Sequence, residues 1–564
     1  MFVSKKTHNQ AHKQTYKQTR NQAHKQTCNQ AHKQTYMFKR TTLLKLLLLS
    51  ALLFALLSPI GFVSAAEPGG STFYTNLNEH NSTPDGAVFF IVDGLGSYYL
   101  FPELKGETLS GESIQKAAVP VLTNIWNSGF RISEMKVPVP VTEKGHSVLV
   151  TGNPSADSEM VGYTDSSFMD ILREEGFLCI GVMQRGDFES MRGKFDVIIY
   201  DKTNSVNNMD FTVQTNSFED SNPKIVSEIA SVFNSQKNRA SSYMDSKDTS
   251  EKYAGYNRWG IDTAYEVLTV MEKYPGQKFI VVVNVGAVDS TGHYRGYYAY
   301  LDAVERLDKD LGKLFEKCRR NNLFFIFTAD HGMSFEEQNK KSGGHSSTKY
   351  AKTKEALYIP FIVYGNSIQK NIYYSETGQE DAAPTLLSLF NIAAHPRFSK
   401  GNVLPAKEKP TLYVEAPESV QIQLYQVTGG GEQIVFNSLG FDRSSGYSSY
   451  SVAGLEQGNY LLKWNAADSS SGSGSKIKYS QEEAGFYLTA DMTIDLSDYS
   501  AKSSDFLPSM TGGFGTSGTG FGSDSGGILS KFTKPVYFLL IAIINIIGAA
   551  GIYYLYKKEG FSKL

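Results

Sequence analysis

The sequence predicts an α/β fold, a mostly parallel sheet with helices on both faces, followed by a small C-terminal β-sandwich and one transmembrane helix. Three observations carry this expectation. From Ala87 onward, short continuous apolar runs alternate with amphipathic stretches, the pattern of strands buried on both faces. From about Thr411 the runs become short and alternating with Gly-rich turns between them, as in antiparallel pairs. Pro535 to Tyr556 then carries no charge over about 22 residues, roughly 33 Å as a helix and enough to cross a bilayer.

Taken in order, residues 1–36 repeat N-Q-A-H-K-Q-T from Asn9, Asn21 and Asn29, a polar tract with too little apolar surface to build a core. Its four histidines, scattered among Gln and Lys, make a poor metal site, and Met37 reads as the start of translation. Residues 37–66 have the form of a secretory signal: Lys39 and Arg40, an apolar stretch from Leu46 to Leu57, then Val63-Ser64-Ala65-Ala66. The α/β domain is expected over 67–408, with strands at A-V-F-F-I-V before Asp93, F-L-C-I-G-V, F-D-V-I-I-Y, F-I-V-V-V-N-V before Asp289, and L-F-F-I-F-T before Asp330. Tyr300, Leu301, Val304, Leu307, Leu311 and Leu314 recur at helical spacing. Asp201 to about Tyr253 is rich in Asn, Ser, Asp and Lys, and reads as a surface insertion with a helix near Ile225 to Phe233, placed to cover a site.

The β-sandwich is expected over 409–498, a Gly/Ser-rich stalk over 499–532, the membrane helix over 533–556 and a short cytoplasmic tail over 557–564. A signal followed by a stop-transfer segment implies a single-pass cell-membrane protein with its body outside the cytoplasm. Asn81-Ser82-Thr83 is a glycosylation acceptor that suits that setting. Residues 1–66 hold ten Lys and Arg and no acid, which leaves 45 basic against 57 acidic residues, an excess of twelve negative charges. So acidic a body disfavours nucleic-acid binding, which rests on phosphate neutralisation. Cys179 and Cys318 are too few for a disulfide scaffold, and whether they pair is left open.

Six histidines lie beyond residue 36, and three sit in D-S-T-G-H (Asp289, His293), A-D-H-G-M (Asp330, His331) and G-G-H-S (His345). Upstream lie V-D-G-L-G, with Asp93, and V-T-E-K-G-H-S-V-L-V-T-G, with Thr142 and His146. Each has a bland reading: Asp93-Gly94 as a turn, Asp289 as a helix cap, Thr142 as a loop residue. Asp330-His331 resists it, because two polar residues ending so apolar a strand are a local conflict that a site explains. Three carboxylates, three imidazoles and a hydroxyl suffice for two zinc-type sites that share a nucleophile, and strand ends are where open α/β sheets bind ligands.

The ordered set resembles the alkaline phosphatase superfamily, especially its nucleotide pyrophosphatase/phosphodiesterase and membrane phosphoethanolamine-transferase branches. The resemblance extends through I-P-F-I-V-Y-G (Ile359 to Gly365) and D-A-A-P-T-L-L-S-L-F (Asp381 to Phe390), and so spans roughly residues 86 to 400. It implies one metal on Asp289, His293 and His345, and another on Asp93, Asp330 and His331 with Thr142 beside it. Two divalent ions follow, zinc by ligand type, with manganese or iron also admitted. Thr142 would be the nucleophile and Ser147 the fallback, with His146 structural. Two departures stand out. Tyr163 lies where the phosphodiesterase branch has an Asn, which puts nucleotide substrates in doubt. T-E-K-G-H also lacks the C/S-x-P-x-R setting of formylglycine sulfatases. Cofactor-independent phosphoglycerate mutases, with a Ser nucleophile and an inserted transfer domain, fit an exported chain poorly.

The expected function is a membrane-anchored, extracytoplasmic two-metal hydrolase of phosphate esters or phosphodiesters, acting on a small phosphoester or a lipid or glycan head group. A transferase moving a phospho-substituent onto a surface glycan or lipid would use the same Thr142 intermediate. A non-catalytic surface scaffold is the remaining alternative.

Overall fold

The computed structural model describes residues 71–76, 83–219, 221–416, 420–437, 448–467 and 479–496. The expected repeat, signal, stalk, membrane helix and tail, and Asn81, lie outside these residues. Among the described residues, no helix is long and apolar enough to cross a membrane.

A ten-stranded sheet forms the centre of the α/β region. Its path runs Asn371–Tyr373, Phe130–Lys136, Tyr358–Tyr364, Phe324–Ala329, Gly86–Val92, Phe279–Val285, Leu178–Met183, Val197–Asp201 and Phe211–Thr215, with Thr377–Gly378 paired to Phe130–Lys136. The five strands from Phe324–Ala329 to Val197–Asp201 are mutually parallel, and each is the apolar run expected from the sequence. Every residue of Gly86–Val92, Phe279–Val285 and Phe324–Ala329 is buried, so both sheet faces are covered. Phe89 packs edge to face on Phe168 while Phe90, pointing the other way, stacks on Phe327.

The sheet is mostly parallel, as expected, but mixed. Tyr358–Tyr364 runs antiparallel to both neighbours, and Phe211–Thr215 closes the far edge antiparallel to Val197–Asp201. The 201–253 stretch is also more than a surface insertion. It supplies that edge strand and a helix, Pro223–Tyr243, which buries Ile225, Val226, Ile229 and Phe233. This helix packs on the long helix Thr249–Met271 and on the strands Val197–Asp201 and Phe211–Thr215, not over the strand-end carboxylates. Trp259 fixes the pair, its indole N–H donating to the Gln236 carbonyl at 2.9 Å.

Beyond the α/β region, two four-stranded sheets contribute to one apolar cluster. Leu412, Val414, Tyr450 and Val452 come from one sheet, and Ile422, Leu424, Leu462 and Trp464 from the other. The strand Ser71–Asn76 joins the first of them, parallel to Ser448–Ala453, so the α/β boundary drawn at residue 67 is crossed by a strand that pairs elsewhere. The two regions meet at a buried lysine. Lys407 Nζ donates to Asp491 Oδ2 (2.9 Å), Asn391 Oδ1 (2.7 Å) and Thr411 Oγ1 (3.0 Å). Cys179 and Cys318 are both free, buried thiols.

Candidate metal centre

Three adjacent parallel strands deliver three carboxylates to one end of the sheet. Asp93 follows Gly86–Val92, Asp330 follows Phe324–Ala329, and Asp289 lies in the first turn of the helix Ala287–Arg295 that follows Phe279–Val285. Backbone bonds set their spacing: Asp93 N–H donates to the Val285 carbonyl, and Asp289 N–H to the Asp93 carbonyl, each at 3.0 Å. The turn after Asp93 needs glycine, because Gly94 has φ +77° and a Cβ there would stand 2.7 Å from the Asp289 Cβ.

All three carboxylates are fully buried. Asp330 Oδ1 accepts from Gly94 N–H (3.0 Å) and His331 N–H (2.8 Å). Its Oδ2, with Asp93 Oδ1 and Asp289 Oδ1, has no hydrogen-bond donor. Buried carboxylate oxygens without donors are costly unless a cation serves them. Burial, with the charges of Asp330 and Asp289, pushes Asp93 well above the usual carboxylate range, and burial lifts Asp330 to about 8. Burial acts the same way on Asp289, but the adjacent His293 imidazole and the Arg185 charge outweigh it and hold that group low.

Three imidazoles aim the same nitrogen at these oxygens. His331 Nδ1 donates to the Gly332 carbonyl (2.9 Å) and His345 Nδ1 to the Pro140 carbonyl (2.6 Å), which makes both Nε2 atoms acceptors. Burial lowers His331 to about 4 and His345 to about 3, so both rings stay neutral. His293 Nε2 lies 3.0 Å from His345 Nε2, and these two atoms stand 3.3 and 3.4 Å from Asp289 Oδ1. On the other side, His331 Nε2 lies 3.4 Å from Asp93 Oδ1, 3.5 Å from Asp330 Oδ2 and 3.0 Å from Thr142 Oγ1. Ligands about 2.0–2.1 Å from a tetrahedral ion are about 3.3 Å from one another, and the observed separations cluster there. Asp93, Asp330 and His331 could hold one cation, and Asp289 with His345 and either His293 or His331 another.

Thr142 opens the helix Thr142–Thr151, whose N-cap Val141 offers no side-chain acceptor, so the first-turn N–H groups are left for a ligand. Gly145 lets this helix approach: a Cβ there would meet the Asp330 carbonyl oxygen at 2.3 Å. His146 is structural. Its Nδ1 donates to the Thr142 carbonyl (2.9 Å), its Nε2 accepts from Asn284 Nδ2 (3.2 Å), and burial lowers it to about 4. Ser147 is buried, and its hydroxyl donates to the Glu143 carbonyl (2.8 Å). The Tyr163 ring meets Phe398 edge to face and its hydroxyl donates to Glu159 (3.2 Å).

All seven residues singled out in the sequence, Asp93, Thr142, Asp289, His293, Asp330, His331 and His345, therefore meet in one place. Two others were not foreseen. Arg185 follows the strand Leu178–Met183 and reaches Asp289 Oδ2 at 2.6 Å and Asp93 Oδ2 at 3.1 Å. Asn284, a lone amide inside F-I-V-V-V-N-V, accepts from Arg185 N–H (2.8 Å) as well as donating to His146. The available signal for Arg185 was the one used for the aspartates: a polar residue just past an apolar run, in V-M-Q-R-G-D.

The Sulfatase family model matches residues 88–392. The chain belongs to the sulfatase family. It lies within the alkaline phosphatase superfamily, as the ordered motifs implied. This sulfatase-family chain is 36% identical over 118 residues to a 2,3-bisphosphoglycerate-independent phosphoglycerate mutase of Vibrio atlanticus (strain LGP32), an alignment covering 21% of this chain and 22% of that one. The chain thus spans about a fifth of the length of this curated relative. Among solved structures it is similar to the alkaline phosphatase PafA, with a TM-score of 0.41 and 14% identity over 57% of this chain and 99% of that one. It is also similar to the lipoteichoic acid synthase LtaP from Listeria monocytogenes, with a TM-score of 0.38 and 15% identity over 63% and 87% of the two chains.

Proposed function

We propose that this sulfatase-family chain is a phosphoric ester hydrolase that uses Thr142 as its nucleophile. It would use two divalent cations, zinc by ligand type, one on Asp289, His293 and His345 and one on Asp93, Asp330 and His331. The observation that carries the reading is the spacing of Thr142 Oγ1, 3.0 Å from His331 Nε2, beside buried carboxylate oxygens that lack donors. When bound, such cations supply Lewis acidity, lowering the pKa of a nearby hydroxyl and offsetting charge on a leaving oxygen.

The chain's own groups then have definite tasks. Thr142 Oγ1 attacks phosphorus in line, forming a bond to phosphorus as the bond from phosphorus to the ester oxygen breaks, and water later cleaves the phosphothreonine. The open N-terminus of Thr142–Thr151 presents N–H groups and the positive end of its dipole to the non-bridging oxygens. His146 holds the Thr142 carbonyl and so fixes the start of that helix. The residue type also argues against the chemistry in the family's name. A formylglycine comes from a primary alcohol or thiol, whereas oxidation of a threonine carbinol would give a ketone.

The substrate class proposed is a small phosphoester or a phosphorylated lipid or glycan head group, met outside the cytoplasm by a chain anchored through 533–556. The test is a panel of aryl phosphate mono- and diesters, with metal analysis, on detergent-solubilised full-length protein. Turnover that needs metal, with label from H2(18)O entering the released phosphate, is expected. Bound metal with no turnover on the panel would instead favour a scaffold, and label excluded in the presence of an alcohol acceptor would favour a transferase.

A further inference from the structure

Arg185 links the two halves of the centre in a way the ligand set does not explain. Each half contributes one aspartate whose two oxygens are divided between two tasks. Asp289 turns Oδ1 to the imidazoles of His293 and His345, and Oδ2 to Arg185 Nη1 at 2.6 Å. Asp93 turns Oδ1 to His331, and Oδ2 to Arg185 Nε at 3.1 Å. One planar guanidinium thus hydrogen-bonds the outward oxygen of Asp289 and forms an ion pair with the outward oxygen of Asp93, while neither Asp93 oxygen nor Asp289 Oδ1 accepts a hydrogen bond.

The arginine is itself held. Its backbone N–H donates to Asn284 Oδ1 (2.8 Å), its Nη1 donates also to Ser290 Oγ (3.0 Å), and its stem lies against Gly286, where a Cβ would stand 2.6 Å from the Arg185 Cδ. Through Asn284 and His146 the same network reaches the Thr142 carbonyl. A group fixed by three contacts, with its two charged edges on two carboxylates, resembles the outer partner that orients a metal ligand, here serving two ligands at once.

We propose that Arg185 is a positioning residue that restricts Asp93 and Asp289 to one-oxygen ligation and joins the two cation sites into a single unit. The inference rests on the two-cation reading above. With the outward oxygens occupied, neither carboxylate can turn to embrace a cation with both oxygens, and movement of one aspartate is passed to the other through the guanidinium. Lysine cannot substitute, since a point charge on a flexible stem lacks the fork that spans two carboxylates.

The experiment compares zinc binding by wild type, R185Q, R185K and H345A, using competition with a chromophoric chelator for affinity and elemental analysis for stoichiometry, with near-ultraviolet circular dichroism to confirm folding. R185Q is expected to weaken both zinc ions by about 10–100-fold, R185K to restore at most one of them, and H345A to weaken one ion alone. Wild type that holds two ions, with R185Q binding both as tightly or more tightly, would overturn the role of Arg185 and leave the two-cation reading intact. Wild type that holds fewer than two ions would overturn both. Should R185Q fail to fold without zinc, R185K decides the matter: wild-type affinity for both ions in R185K refutes the bridging role.

Discussion

Thr142 and His331 meet at 3.0 Å, yet the two side chains do different work, and mutation separates them. Thr142→Ala removes the oxygen proposed to attack but no buried charge, so turnover is expected to fall by at least ~10³-fold while metal content is unchanged. Residual activity near wild type would remove Thr142 as nucleophile. Asp330→Asn alters a fully buried carboxylate whose Oδ2 lacks any donor, and both turnover and bound metal should be lost, as read by elemental analysis. At this scale much of the centre was legible in the sequence, because a charged or imidazole residue ending an apolar run conflicts with its surroundings unless something polar awaits it. Arg185 obeys the same rule after F-L-C-I-G-V-M and was overlooked because an arginine is not a ligand. Asn284 was overlooked because its two partners, Arg185 and His146, are 99 and 138 residues away.

The elements that carry these residues tolerate little displacement. The helix Thr142–Thr151 touches the Asp330 backbone at Gly145, where an added methyl would stand 2.3 Å from a carbonyl oxygen. Gly145→Ala should therefore push the helix away from the strand end, lowering kcat by about 10²-fold through misplacement of the nucleophile and stability by about 1–3 kcal/mol. Steady-state kinetics and a denaturant titration measure the two, and a variant of wild-type kcat would show that the helix has room to move. The apolar runs gave away the strands but not their direction. Tyr358–Tyr364 is as apolar as the parallel strands of the sheet, and its antiparallel course depends on the connection over residues 330–357, about which side-chain pattern says nothing. The helix Pro223–Tyr243 was read as surface for a related reason: its Asn, Ser and Lys residues outnumber one narrow apolar stripe.

Over the whole molecule, Lys407 and Asp491 form the polar joint between the α/β region and the sheets that follow. Burial pushes Asp491 up and Lys407 down, so each charge depends on the other. Lys407→Met strands the carboxylate and should cost about 3–5 kcal/mol, read as a lower denaturant midpoint; an unchanged midpoint would mean that Asp491 finds another partner or is protonated. Removing metal with a chelator should lower the melting temperature by on the order of 5–10 °C, because cations that bind the folded chain alone stabilise it by mass action. Calorimetry with and without chelator checks this. The bond from Gly94 N–H to Asp330 Oδ1 joins residues 236 apart in sequence, and the strand just before Gly94 pairs with chain made almost as much later. During synthesis the run A-V-F-F-I-V must therefore wait, without both its strand partners, until more than two hundred further residues have emerged. High contact order of this kind slows folding and lengthens exposure to aggregation, so the nascent chain should depend on chaperones long before it can bind its first ion.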